Sequence, residues 1–293
     1  MEYIPAFAGG ARNIQMKIYI SVDMEGISGI NSPEHVKRDG RLYAEGRRLL
    51  TDDVNAAVRG ALEGGADEVI VADMHGGSNN LIIPEVDPRA MLLEGAPRSP
   101  RFAFLNKTVD GMVLLGYHAM NGTLEATLEH TMSSASWHKF TVNGTPWGEL
   151  AIDATLAAEA GVPVIMVSGD DKLRTEARIF LGEAVEFACV KQGLGRQQAL
   201  CMSAANGQKT VCEHMRRAVE RLKNGEHFPL MKLEERYKID LTYKFVPDAD
   251  EAALQYGAKR IDGYTVETNY ARLSDMYGGV WAERGIVQTV HNA

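Results

Sequence analysis

The sequence predicts an α/β protein, with a mainly parallel sheet and flanking helices followed by a smaller C-terminal α+β domain. Three observations carry that prediction. Short apolar, β-rich runs alternate with segments of helical period through the first half of the chain. Four of those runs end in clusters of acids and histidines, as strands do where their carboxyl ends form a binding rim. Beyond about residue 191 the texture changes to a strand–helix–strand–helix order.

The elements follow in order. Residues 1–15 lack the basic start and long apolar stretch of a signal peptide, and are expected to form an extension ahead of the first strand. Residues 16–22 (MKIYISV) read as a strand. A helix is expected over 43–63, where Leu49, Leu50, Val54, Ala57, Val58 and Ala61 recur at helical spacing and Gly64-Gly65 supplies the stop. Strands follow at 68–72 (EVIVA) and 111–115 (GMVLL). Asn143-Gly144 between 141–142 and 145–146 is a strong signal for a two-residue hairpin. Residues 148–160 read as a helix and 163–167 (PVIMV) as a buried strand. The tail predicts a basic amphipathic helix at 209–224, a strand at 237–246, a helix at 249–257, a strand at 264–268 and a helix at 271–284. A first domain over 16–195 and a second over 196–293 are therefore expected.

Composition narrows the function classes. The 293 residues suit one large or two modest domains, and 45% hydrophobic with 24% charged residues is ordinary for a soluble globular protein. The net charge of −8 argues against a nucleic-acid or anionic-membrane partner, since both need a basic footprint. Cys189, Cys201 and Cys212 are too few and too scattered for a disulfide framework or a cysteine zinc site. No apolar run reaches the roughly 20 residues that span a bilayer. A cytoplasmic protein with reduced cysteines is expected.

The chemistry concentrates at strand ends. The first strand runs into Asp23 and Glu25, the second into Asp73 and His75, the third into His118, and the strand at 163–167 into Asp170 and Asp171. Asp23 and Glu25 are two apart and share a face of an extended backbone, where two carboxylates repel unless a cation or proton lies between them. With His75 and His118 they make a mixed nitrogen and oxygen set suited to Zn, Mn, Fe or Co. Glu149, at a helix start, could complete it, and one bridging carboxylate with several terminal ligands suits two metals. His130 reads first as a surface-loop histidine, with a general acid, base or oxyanion role as the alternative. Asp170 and Asp171 are expected to cap a helix, with binding of a substrate ammonium as the alternative. Asn79 and Asn80 orient a loop or bond a substrate, and the residues alone do not choose.

The run Ser21-Val22-Asp23-Met24-Glu25-Gly26 resembles the S-x-D-x-E-G metal motif of the DppA-like D-aminopeptidases, zinc peptidases of bacteria and archaea. The similarity continues in order through Asp73-Met74-His75, Asn79-Asn80-Leu81, Gly116-Tyr117-His118-Ala119, His130-Thr131-Met132, Gly148-Glu149-Leu150 and Gly169-Asp170-Asp171. The interval from His118 to His130 is one residue longer than the family pattern, and the C-terminal region matches only in its order of strands and helices. The resemblance implies two zinc ions held by Asp23, Glu25, His75, His118 and Glu149, with Asp23 the bridge and Mn or Co as possible substitutes. It implies that His130 is the catalytic histidine, against the first reading of that residue. It further implies a two-domain subunit, a ring-based decamer, and short peptides with N-terminal D-amino acids as substrates. Two rivals stand beside this expectation: a two-metal phosphoesterase, and a ring-forming scaffold whose metal is structural.

Overall fold

The structure, a computed structural model, describes residues 15–95, 100–255 and 257–278. Residues 1–14 of the expected extension and 279–284 of the expected last helix lie outside them. The first sheet has seven strands in the order β3-β2-β1-β4-β7-β8-β9. These are β1 (Lys17–Val22), β2 (Glu68–Asp73), β3 (Ala90–Leu93), β4 (Gly111–Leu115), β7 (Val164–Asp170), β8 (Glu186–Gly195) and β9 (Gln198–Cys201). Every pairing is parallel except β8 with β9. Strands β1, β2, β4 and β7 are buried almost throughout, which explains their unbroken apolar runs: helices cover both faces of a parallel sheet.

Between β1 and β2 lie α1 (Pro33–Val36) and α2 (Tyr43–Gly64), and α2 ends where Gly65 turns left-handed, φ 101°. α5 (Ala204–Lys223) packs along α2 on the same face. The second sheet is antiparallel, in the order β11-β12-β10-β5-β6. Its strands are β5 (Trp137–Val142), β6 (Thr145–Pro146), β10 (Tyr237–Tyr243), β11 (Lys259–Arg260) and β12 (Thr265–Tyr270). Asn143 (φ 51°) and Gly144 (φ 83°) make the β5–β6 turn, as their dipeptide predicts. α3 (Glu149–Glu159) is buried at every position from Glu149 to Ala158. Its residues share one core with Met112 and Leu114 of the first sheet and Phe140, Tyr237 and Leu241 of the second. A helix apolar on all sides has to be covered on all sides.

Five elements, α1, β3, β8, β9 and β11, were not legible in the sequence, and α4 (Asp171–Leu181) was expected only as a helix capped at Asp170 or Asp171. β8 interrupts its apolar residues with Lys191 and Gln192, which hides the strand period. β10 stops at Tyr243, short of the expected 246, because α6 (Val246–Ala253) starts there with Pro247 in its first turn. The last described helix, α7, covers Asp275–Gly278. The cut at 195 does not separate the two sheets. α5 lies on the first sheet, whereas β5 pairs with β10, Phe140 opposite Leu241, and carries β6 on its other edge. Such pairing joins residues about a hundred positions apart and leaves no local pattern.

Candidate metal centre

β1 is the central strand of the first sheet's switch in direction, with β2 on one side and β4 on the other. A crevice opens beyond the carboxyl ends at such a point. Asp23 and Glu25 follow β1, His75 follows β2 and His118 follows β4, while the buried N-terminus of α3 brings Glu149 to the same rim. The chain after β1 turns sharply under β4: Asp23 N–H donates to Leu115 O (2.9 Å) and Gly26 N–H to Gly116 O (2.7 Å). A Cβ on Gly26 would lie 1.9 Å from the Tyr117 carbonyl oxygen, so the last residue of the S-x-D-x-E-G run has to be glycine.

Two groups of donor atoms result, each with its atoms within 4.8 Å of one another: Asp23, Glu25 and His75 in one, His118, His130 and Glu149 in the other. Asp23 joins them. Its Oδ1 is 3.0 Å from His75 Nδ1 and its Oδ2 is 3.4 Å from His118 Nε2. Glu25 Oε2 lies 3.1 Å from His75 Nδ1, and Glu149 Oε1 lies 3.4 Å from His118 Nε2 and 3.5 Å from His130 Nε2. The His118 and His130 rings stack, centroids 4.0 Å apart.

The far nitrogen of each histidine meets a backbone carbonyl: His75 Nε2 with Val36 O (2.9 Å), His118 Nδ1 with Ala119 O (3.0 Å) and His130 Nδ1 with Leu128 O (3.0 Å). A carbonyl only accepts, so those nitrogens carry the hydrogens. In the neutral imidazoles the near nitrogens then present lone pairs toward carboxylate oxygens. Glu25 Oε2 and His118 Nε2 are buried without a hydrogen bond. Converging buried lone pairs call for a cation, and a carbonyl holding the outer N–H is the usual way a metal-binding imidazole is aimed. The residues therefore fit a metal. Electrostatics agree. Burial disfavours charge on His75 and His118, yet the surrounding carboxylates raise both well above the ordinary histidine value. Burial would lift Asp23, but the two histidines hold it well below the ordinary carboxylate value. His130 is shifted down, by burial and by His118.

The six residues named for metal and catalytic roles thus meet at one place, and His130 is half-buried beside Glu149 rather than on the open surface. Asp170 caps α4, accepting from Lys172 and Leu173 N–H, as expected. Asn80 serves the loop reading: its side chain donates to Asp73 and to the His75 carbonyl. Cys189, Cys201 and Cys212 are free thiols.

The supporting residues were missed. Arg101 grips Asp153 with two hydrogen bonds (2.6 and 2.9 Å), Tyr117 OH donates to Asp153 (2.6 Å), and Ser21 Oγ meets Tyr117 OH at 2.7 Å. Asp153 is one helical turn beyond Glu149, a spacing that could have exposed it. Replacing Arg101 with Ala leaves the fully buried Asp153 carboxylate without its cation. A stability loss of about 3–5 kcal/mol is expected in denaturant unfolding, reduced when Asp153 is also made apolar.

Glu176 accepts the Met120 N–H (2.8 Å) and so anchors the loop leading to His130. Burial pushes its carboxyl from 4.5 up to about 7. Between those values the folded protein binds the proton that the unfolded chain releases. Its contribution is therefore fully present below pH 4.5 and is lost as pH rises through about 7. Glu176→Gln should gain stability relative to the parent between pH 5 and pH 8 in denaturant titrations of metal-free protein. An unchanged difference would refute this.

Comparisons with known proteins agree with the geometry. A D-aminopeptidase of Bacillus subtilis (strain 168) is 37% identical over 199 residues, covering 68% of this chain and 72% of that protein. The solved structure of the Zn-dependent D-aminopeptidase DppA from Bacillus subtilis, a self-compartmentalizing protease, matches with a TM-score of 0.86. That match has 30% identity and covers 95% of this chain and 99% of the other. The model of the M55 peptidases, described as D-aminopeptidase, matches residues 16–282, and with the site's geometry this establishes that the chain belongs to the D-aminopeptidase family.

Proposed function

We propose that the chain is a zinc-dependent aminopeptidase that hydrolyses short peptides carrying an N-terminal D-amino acid. The observation that carries this reading is the set of three imidazoles, His118 buried and His75 and His130 half-buried, whose outer nitrogens are committed to carbonyls while their inner nitrogens converge on carboxylates. Relatives named as D-aminopeptidases supply the substrate class. Asp23, Glu25 and His75 would hold one ion, and Asp23, His118 and Glu149 a second, with Mn or Co as substitutes. Zinc bound there supplies Lewis-acid polarisation of a carbonyl and lowers the pKa of water toward neutrality.

The chain's own groups do the rest. The buried rim strips water from the scissile bond and strengthens every charge interaction inside it. Burial and the neighbouring His118 disfavour charge on His130, and its Nδ1–H is committed to Leu128 O, so its Nε2 would take a proton from the attacking water and return it to the leaving amine. Its loop includes Glu125, Leu128 and Met132 at positive φ and is tied down through Thr127 N–H to Asp170 (2.9 Å). That tie offsets the backbone strain and keeps the imidazole beside Glu149.

A panel of D- and L-aminoacyl amides, dipeptides and phosphoesters, assayed with Zn, Mn and Co, tests the proposal. Cleavage of D-amino-terminal peptides with about two zinc ions per subunit supports it. Hydrolysis of phosphoesters alone would overturn it, and zinc binding without any turnover would favour the scaffold reading. The self-compartmentalizing relative points to a ring-shaped homo-oligomer, a decamer on the family pattern, which sedimentation would measure. No described helix is long and apolar enough to cross a membrane. The three free cysteines suit the cytoplasm.

A further inference from the structure

The turn that carries Glu25 is gripped by a side chain outside the candidate ligands. Residues 23–30 leave β1 through two tight turns, closed by Ile27 N–H to Met24 O (3.1 Å) and Ile30 N–H to Ile27 O (3.2 Å). The carbonyls of Glu25, Ile27 and Ile30 then point together into the protein. Lys191, on β8, meets all three: its Nζ donates to Glu25 O (2.6 Å), Ile27 O (3.0 Å) and Ile30 O (2.5 Å). An ammonium has three hydrogens, and each is used. Lys191 is buried, and among the described residues it makes no ion pair. A buried ammonium costs far more than an apolar side chain of the same length. Packing alone would be served as well by Met, so the hydrogen bonds are the reason for lysine.

The grip is on one half of the centre. Asp23 is fixed separately, through its N–H to Leu115 O on β4. The loop bearing His118 and His130 is held by Glu176 at Met120 and by Asp170 at Thr127. The turn carrying Glu25 has two further ties, Gly26 N–H to Gly116 O (2.7 Å) and Ser28 N–H to the buried Asp53 on α2 (2.9 Å), and among the described residues Lys191 alone holds the Glu25 carbonyl.

We propose that Lys191 is a positioning residue that sets the Glu25 carboxylate against Asp23 and His75, and that the His118–Glu149 half stands without it. The proposal rests on the zinc reading above. It is tested in the full-length protein with Lys191→Met and Lys191→Gln. Zinc affinity of each half is read by chelator competition, the ligand field by Co substitution spectra, and kcat and KM on a D-amino-terminal dipeptide. Lys191→Met should weaken one of two zinc sites about 10–100-fold, as loss of a partner behind a ligand does, and leave the other unchanged. Only one component of the Co spectrum should shift, and kcat should fall with KM held. Lys191→Gln, which keeps two donors, should fall between the parent and Lys191→Met.

Equal weakening of both sites, or of neither, overturns the proposal. If Lys191→Met does not fold, the Gln variant decides by the same criteria. If neither folds, Lys191 is a general support of the fold and the proposal is wrong. A parent protein that binds no zinc overturns the zinc reading itself, a result distinct from these.

Discussion

Replacing Asp23 with Ala is expected to empty both halves of the metal centre and reduce hydrolysis to background. Asp23 alone faces both groups, with one oxygen 3.0 Å from His75 and the other 3.4 Å from His118. Loss of Glu25 or Glu149 strips one half only, so those variants should each keep one ion. The reading is direct: zinc per subunit by elemental analysis, and the thermal midpoint with and without zinc. A ligand bound only by the folded state at a hundred times its Kd adds about 2.7 kcal/mol, so zinc should raise the parent's midpoint and leave that of Asp23→Ala unmoved. Two ions retained by the variant would show that Asp23 is not the bridge.

Replacing His130 with Ala is expected to lower kcat about 10²–10⁴-fold while zinc content stays at the parent level. His130 Nε2 lies 3.5 Å from Glu149 Oε1, close enough to share an ion with His118. Burial and the neighbouring His118 both shift it down, toward the neutral form that a proton acceptor needs. Turnover lost with zinc intact assigns the proton role. Zinc lost from the His118–Glu149 half assigns His130 as a ligand.

The candidate centre was legible because its proposed ligands follow the ends of apolar strands. An acid or histidine within three residues of the end of a buried β run can be placed in space once the sheet is parallel, and Asp23, His75 and His118 all satisfy that condition. Glu149 was legible for a related reason: Gly148 precedes a helix so apolar that it had to be buried, which carries its first residue inward. His130 was not legible from its surroundings. It lies in a loop without period, held in place by Thr127 N–H to Asp170, Met120 N–H to Glu176 and Leu128 N–H to Arg196 O, partners all far along the chain.

The sequence by itself determined the parallel sheet, the strand ends that meet at its switch point, and five carboxylate and imidazole side chains with the chemistry to hold a cation. Those features depend on periods of two to four residues and on side-chain identity, both of which are local. Tertiary structure alone decided that the β5–β6 hairpin joins the second sheet, that α5 lies on the first, and that Lys191 reaches the carbonyls behind Glu25 from 166 residues away. It also decided that Asp23 stands between the two donor groups. Each of these depends on pairings across long loops, whose energies come from burial and hydrogen bonding in the assembled core and leave no pattern along the chain.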